Sequence, residues 1–176
     1  MIPEETKRLA AAAEFTETIY SKLANGRGVH AETAISAASR MAGTLLLRSC
    51  NLPLSRLTPG SAVFSDVANE RGQSVLGTVG QTLAGLKVPF DPQKLNYDLA
   101  QEHLPHMELM EVQSLLDASF QAILRRHSLT EEEGAYAAAV STGSLIQQCA
   151  SVLDPHVGYI IATYGMIEGC KTVPMN

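Results

Sequence analysis

The chain has no tryptophan, few aromatics (5%) and only three cysteines in 176 residues. Cys50, Cys149 and Cys170 are odd in number and form no CxxC pair, which argues against a disulfide framework or a cysteine zinc knot. Basic runs are missing too: the 13 Lys and Arg stand singly or in pairs, outnumbered by 18 Asp and Glu. A nucleic-acid partner, which needs a cationic stripe to displace counterions, is therefore not expected. The longest uncharged stretch, residues 134–153, has the length of a membrane span but carries Ser141, Thr142, Ser144, Gln147, Gln148 and Ser151. It reads as a core helix, and no membrane partner is expected. Glu4 and Glu5 stand where an export signal would place basic and then apolar residues, which points to a cytoplasmic protein.

What is present is apolar surface in quantity. At 45% hydrophobic and 18% charged, the chain can bury a core, and its length suits a single domain over residues 1–176.

The apolar residues recur at helical spacing. Leu9, Ala12, Ala13, Thr16, Ile19, Tyr20 and Leu23 share one face of a helix over about residues 3–24, ended by Asn25-Gly26. A second helix runs over about residues 29–50, before a loop marked by Pro53 and Pro59. Residues 61–86 read as helical, or as two helices, because Gly72, Gly77, Gly80 and Gly85 interrupt them. Pro89, Pro92 and Pro105 make residues 88–105 the main irregular segment. Residues 107–127 form a strongly periodic helix with Arg125, Arg126 and His127 at its negative end. Thr130 and Glu133 form a capping box that opens a helix to about Leu153, and Asp154-Pro155 opens a last one ending near Gly169. The β-branched run from Tyr159 to Tyr164 would also suit a strand, though no partner strand is evident. The expected architecture is all-α: a bundle of about five to seven helices.

Small residues recur four apart at Ala34, Ala38 and Ala42, Ser39 and Gly43, Ala68 and Gly72, and Ala139 and Gly143. Stripping a helix face of bulk lets backbones approach, so close helix crossings are expected, or alternatively a packed homodimer seam through Ala38 or Gly143. At a shift of one hundred residues Glu32, Ala37, Ala38, Gly43 and Leu45 match Glu132, Ala137, Ala138, Gly143 and Leu145. Internal duplication would leave that pattern; so would alanine bias.

Two constellations could carry chemistry. At Arg27, His30 and Glu32 a Gly-Arg-Gly joint meets a helix start, where free amides and a guanidinium suit an anion. Should His30 bind Glu32, the same corner becomes an acid–base pair. His103 and His106, flanked by Glu102, Glu108 and Glu111, offer ligand types for zinc or a similar metal, although Pro105 interrupts the spacing. No serine lies in a nucleophile elbow and no cofactor motif occurs, so no cofactor is expected.

Two functions are therefore carried forward. One is a non-enzymatic helical protein that acts through protein–protein contacts, as a homo-oligomer or with another protein partner. The other is an enzyme or small-ligand protein with a polar site at Arg27, His30 and Glu32, completed by His103, His106 or Glu132. Convergence of those side chains would separate them.

Overall fold

The computed structural model describes residues 3–175 and places six α-helices among them: α1 Glu4–Leu23, α2 Ala31–Ser49, α3 Asp66–Gly85, α4 Leu109–His127, α5 Glu131–Gln148 and α6 Pro155–Lys171. Short 3₁₀ turns at Leu54–Arg56, Pro92–Lys94 and Gln101–His103 interrupt the connections. The expected all-α bundle is what the chain forms. The run from Tyr159 to Tyr164 is helical, because Asp154 caps His156 N–H and Pro155 presets the first turn.

The third helix differs most from expectation. It starts at Asp66, not near residue 61, because Ser65 is its cap, accepting Ala68 N–H. The preceding residues run extended beside the C-terminal segment instead: Gly60 and Val63 donate to Val173 and Lys171 carbonyls, and Val173 donates back to Ser61. The helix is also continuous despite its glycines. A Cβ on Gly72 or Gly80 would make ordinary contact with Cys170 or Tyr159, so those two face packed neighbours.

The core is organised around α2, where every residue from Thr33 to Leu47 is buried. No other helix is enclosed along such a length, so α2 must be covered on all sides. α5 and α6 cover most of it. Gly43 lies where α2 crosses α6: a Cβ there would sit 2.5 Å from Met166 O and 2.8 Å from Cys170 N. From the other side, a Cβ on Gly165 or Gly169 would overlap Ser39 Oγ or Arg40 O. Only glycine permits a crossing this close. Gly143 serves the crossing of α5 with α3, where a Cβ would meet Thr82 at 2.7 Å.

These crossings revise the seam reading. Ala38 is fully buried and Gly143 is buried too, each among helices of its own chain, so neither is available to a second copy. Gly43 and Gly143, matched at the hundred-residue shift, do occupy comparable crossings, but one meets backbone and the other a side chain. Internal duplication is not shown.

The outer helices close the bundle through specific pairs. Phe15 of α1 stacks on Phe120 of α4 with ring centroids 4.0 Å apart. Burying both rings fully contributes apolar area, and stacked pairs add about 0.5–1.5 kcal/mol beyond it. Arg48 of α2 makes a two-pronged pair with Asp117 of α4, at 2.6 and 3.0 Å. Buried Gln113 donates to Thr44 and accepts from Met175 N–H, tying the C-terminal segment to the core.

Candidate functional site

The irregular segment, residues 87–108, folds as a strap over the N-terminal ends of α2 and α6. Arg40, buried in mid-α2, anchors it by donating from Nη1 to Met107 O while its Nε donates to Glu168 at 2.7 Å. Arg40 leaves α2 at its close crossing with α6, where a Cβ on Gly169 would overlap the Arg40 carbonyl.

The strap brings four of the sequence candidates together. His30 is the N-cap of α2, its Nδ1 accepting from Thr33 N–H at 3.3 Å. The Thr33 hydroxyl accepts the His106 backbone N–H at 2.9 Å, so its own proton turns to His30 Nδ1, 2.8 Å away. With Nδ1 an acceptor, His30 Nε2 carries the proton, and it lies 3.2 Å from Glu32 Oε2, close enough for a charge interaction. The His106 ring stacks on His30, with centroids 3.7 Å apart and planes within 15°. His103 supplies the second partner of Glu32, from Nδ1 to Oε1 at 3.0 Å.

Glu32 is thus a carboxylate with both oxygens engaged by imidazoles. Its side chain is only 13% exposed. Burial alone would raise its pKa, but hydrogen bonding from His103 and the helix-start backbone, with the nearby His30, holds it below the ordinary carboxylate value. His30 is pushed the other way, below the ordinary histidine value, by burial first and by His106; Glu32 opposes this. A neutral His30 beside an ionised Glu32 is the state these environments favour.

The remaining candidates do not join. Arg27 is exposed, and among the described residues its side chain makes no hydrogen bond or ion pair. The Gly-Arg-Gly joint is not an open loop: Asn25 and Gly28 exchange two backbone hydrogen bonds of 3.0 Å across a tight turn, which the left-handed Gly28 (φ +104°) makes accessible. Arg27 therefore makes no polar contact with His30 or Glu32, and one helix-start amide, Thr33 N–H, is taken up by the His30 cap. Glu132 faces Arg71 at 3.5 Å, in the company of Cys50 near the opposite end of α2. His103 and His106, expected as metal ligands, split between Glu32 and the His30 ring. Among the described residues no group of three or more His, Cys, Asp or Glu is arranged to hold a metal ion.

His103 also lines a cavity of about 430 Å³ with Lys94, Asn96 and Asp98 of the strap, the α6 cap Asp154, and His156 and Val157 of α6. Its Nε2 makes no hydrogen bond among the described residues, the nearest acid being Glu102 at 3.9 Å. A second cavity of about 470 Å³ adjoins through Asp98 and Leu99 and is walled by Tyr97, Leu104, Ile161 and Tyr164. The two cavities share Asp98 and Leu99 as a common wall beside the strap, and both are lined by polar and apolar side chains together.

His156 was missed in the sequence. It is held much as His103 is, with Nδ1 2.8 Å from Asp154 Oδ1, and its Nε2 accepts the Asp91 N–H at 3.1 Å. The signal available was an Asp cap two residues ahead of a histidine, which reads as a helix start and nothing more. Comparison with family models, with curated proteins and with solved structures gives no match, so the site is argued from its chemistry alone.

Proposed function

We propose that the chain binds and acts on a small polar molecule in the cavity that His103 lines, with His103 as the proton-transferring group and Glu32 as the carboxylate that orients it. The observation that carries this reading is the 3.0 Å bond between Glu32 and His103 Nδ1, set behind a cavity-lining ring whose Nε2 has no partner. A carboxylate on Nδ1 fixes the tautomer with Nε2 as acceptor and stabilises the imidazolium formed on proton uptake. His30 supports Glu32 from the second oxygen. A positioned base of this kind contributes roughly 100-fold or more to a reaction it serves.

The test is a ligand-observed NMR screen of small polar metabolites against the wild type, H103Q and E32Q, followed by turnover assays on any hit. Hits should compete with one another, bind the wild type and weaken in both variants, with turnover lost in both. A screen in which every hit binds H103Q as well as wild type would overturn the reading.

A homo-oligomeric, non-enzymatic role is the second reading, and a different surface supports it. Half-exposed Ile167 lines an apolar groove between α3 and α6 with Ala68, Gly72, Leu76 and Met166, and Phe64, 85% exposed, and half-exposed Val67 precede Ala68 in the chain. Exposed apolar surface of this kind favours a protein contact. Sedimentation of wild type and F64D would decide it: association lost in F64D supports a second copy on this face, and a monomeric wild type at micromolar concentration removes it. The three unpaired cysteines support a reducing, cytoplasmic setting for either role.

A further inference from the structure

From residue 89 to residue 107 no backbone–backbone hydrogen bond ties the strap to another element among the described residues. Side chains hold it, and they hold its two halves differently. The second half is fixed by His103 on Glu32, His106 N–H on Thr33 and Arg40 on the Met107 carbonyl. The first half is pinned at its ends, where Val88 N–H donates to Leu83 O and the Tyr164 hydroxyl donates to Tyr97 O. Between those pins the tethers are the Asp91 N–H on His156 Nε2 and the Phe90 ring against His156 and Tyr159.

We propose that residues 89–96 are a flap over the cavity lined by His103 and His156, latched by neutral His156 and released when that imidazole takes up a proton. The latch needs Nε2 as an acceptor, so the closed form requires a lone pair there, and Nδ1 then carries the ring proton toward Asp154. A proton on Nε2 would set one donor against another. The open form has no such conflict, so a proton on Nε2 favours release of the flap. Lys94 and Asn96, which line the cavity, move with it.

The groups around His156 decide whether this survives. Asp154 on its own helix favours the charged ring, but it does so in the closed and open forms alike and is well exposed. From the strap, Asp91 pairs with Lys94 at 4.0 Å, while Asp98 and His103 share the cavity wall with His156. None of these offers Nε2 an acceptor in the closed form. The second half of the strap keeps its contacts to Glu32, Thr33 and Arg40, and this confines the movement to the flap.

The flap can be read without any ligand. In the full-length protein, solvent exchange of the Asp91 amide, corrected for intrinsic rate, should rise about five-fold between about pH 7.5 and about pH 5.5, the worth of one hydrogen bond. Amides of α2 should not follow. H156Q supplies an amide oxygen that accepts the same N–H without titrating, so its exchange should be flat across that range. Equal acid response in H156Q and wild type, or none in wild type, overturns the latch. Nitrogen-15 imidazole spectra of the wild type give an independent reading that needs no variant: at the higher pH His156 should be protonated on Nδ1 alone, and a proton found on Nε2 overturns the proposal.

Discussion

The crossing of α2 with α6 and the strap that lies over its end are built on opposite principles. At the crossing, Gly43, Gly165 and Gly169 remove side chains so that backbone meets backbone, and any added atom has nowhere to go. Along the strap, polar side chains reach across gaps to hold a backbone that makes no ladder or helix with its neighbours. The first region gains stability from dispersion at close packing and is intolerant of volume. The second is held by a few hydrogen bonds, each worth about 0.5–1.5 kcal/mol, so it can open without unfolding the bundle. A cleft lined by the second and floored by the first has one rigid wall and one movable wall.

The sharpest way to break this contrast is at Gly169. Gly169→Leu should cost about 3 kcal/mol or more, because the added side chain meets the Arg40 carbonyl rather than a flexible neighbour. Urea denaturation would measure it, and a variant of near-native stability would mean that the crossing is looser than described. At the strap anchor, Thr33→Val should cost about 1 kcal/mol, since it removes the hydroxyl that His106 N–H and His30 Nδ1 share. Its loss should fall mainly on protease resistance of residues 101–108.

The pH dependence of stability comes from the same corner and carries a definite sign. His30 is lowered in the folded chain, so its share of stability is complete above the ordinary value of 6.5 and is lost as pH falls toward the folded value. Glu32 is also lowered, so its share is complete above 4.5 and is lost as pH falls through the folded value. Thermal unfolding should therefore show two acid steps. H30N, which keeps a capping side chain, should remove the upper one and leave the lower. The smallest effect is expected where neither principle operates. A Cβ on Gly77 meets nothing within 4 Å, so Gly77→Ala should stabilise α3 by up to about 1 kcal/mol. A loss there would mean that the exposed face of α3 is covered in solution.

Several features were legible before any coordinates because their causes are local. The Thr130 and Glu133 box caps α5 at 3.2 and 2.7 Å, and Asp154 with Pro155 starts α6. Those bonds span two or three residues, so residue order is enough to specify them. The Ser65 cap was just as local and was overlooked because the apolar spacing before it continued the helical pattern.

The sequence by itself determined that this chain is a set of amphipathic and small-residue helices, with an irregular, proline-marked segment between the third and fourth. It also carried the residue types of the corner, His30 and Glu32 on one side and His103 and His106 on the other. Only the tertiary structure decided that the two meet, across 71 positions between Glu32 and His103, and that Arg27 and Glu132 stay outside. It alone decided, too, that the small faces of α2 and α5 are covered by α6 and α3 of the same chain rather than by a second copy. The physical reason is range: capping and periodicity act within a turn or two of helix. Which faces meet depends instead on summed packing across the bundle, where one glycine on a distant helix, such as Gly169, sets how closely two backbones can approach.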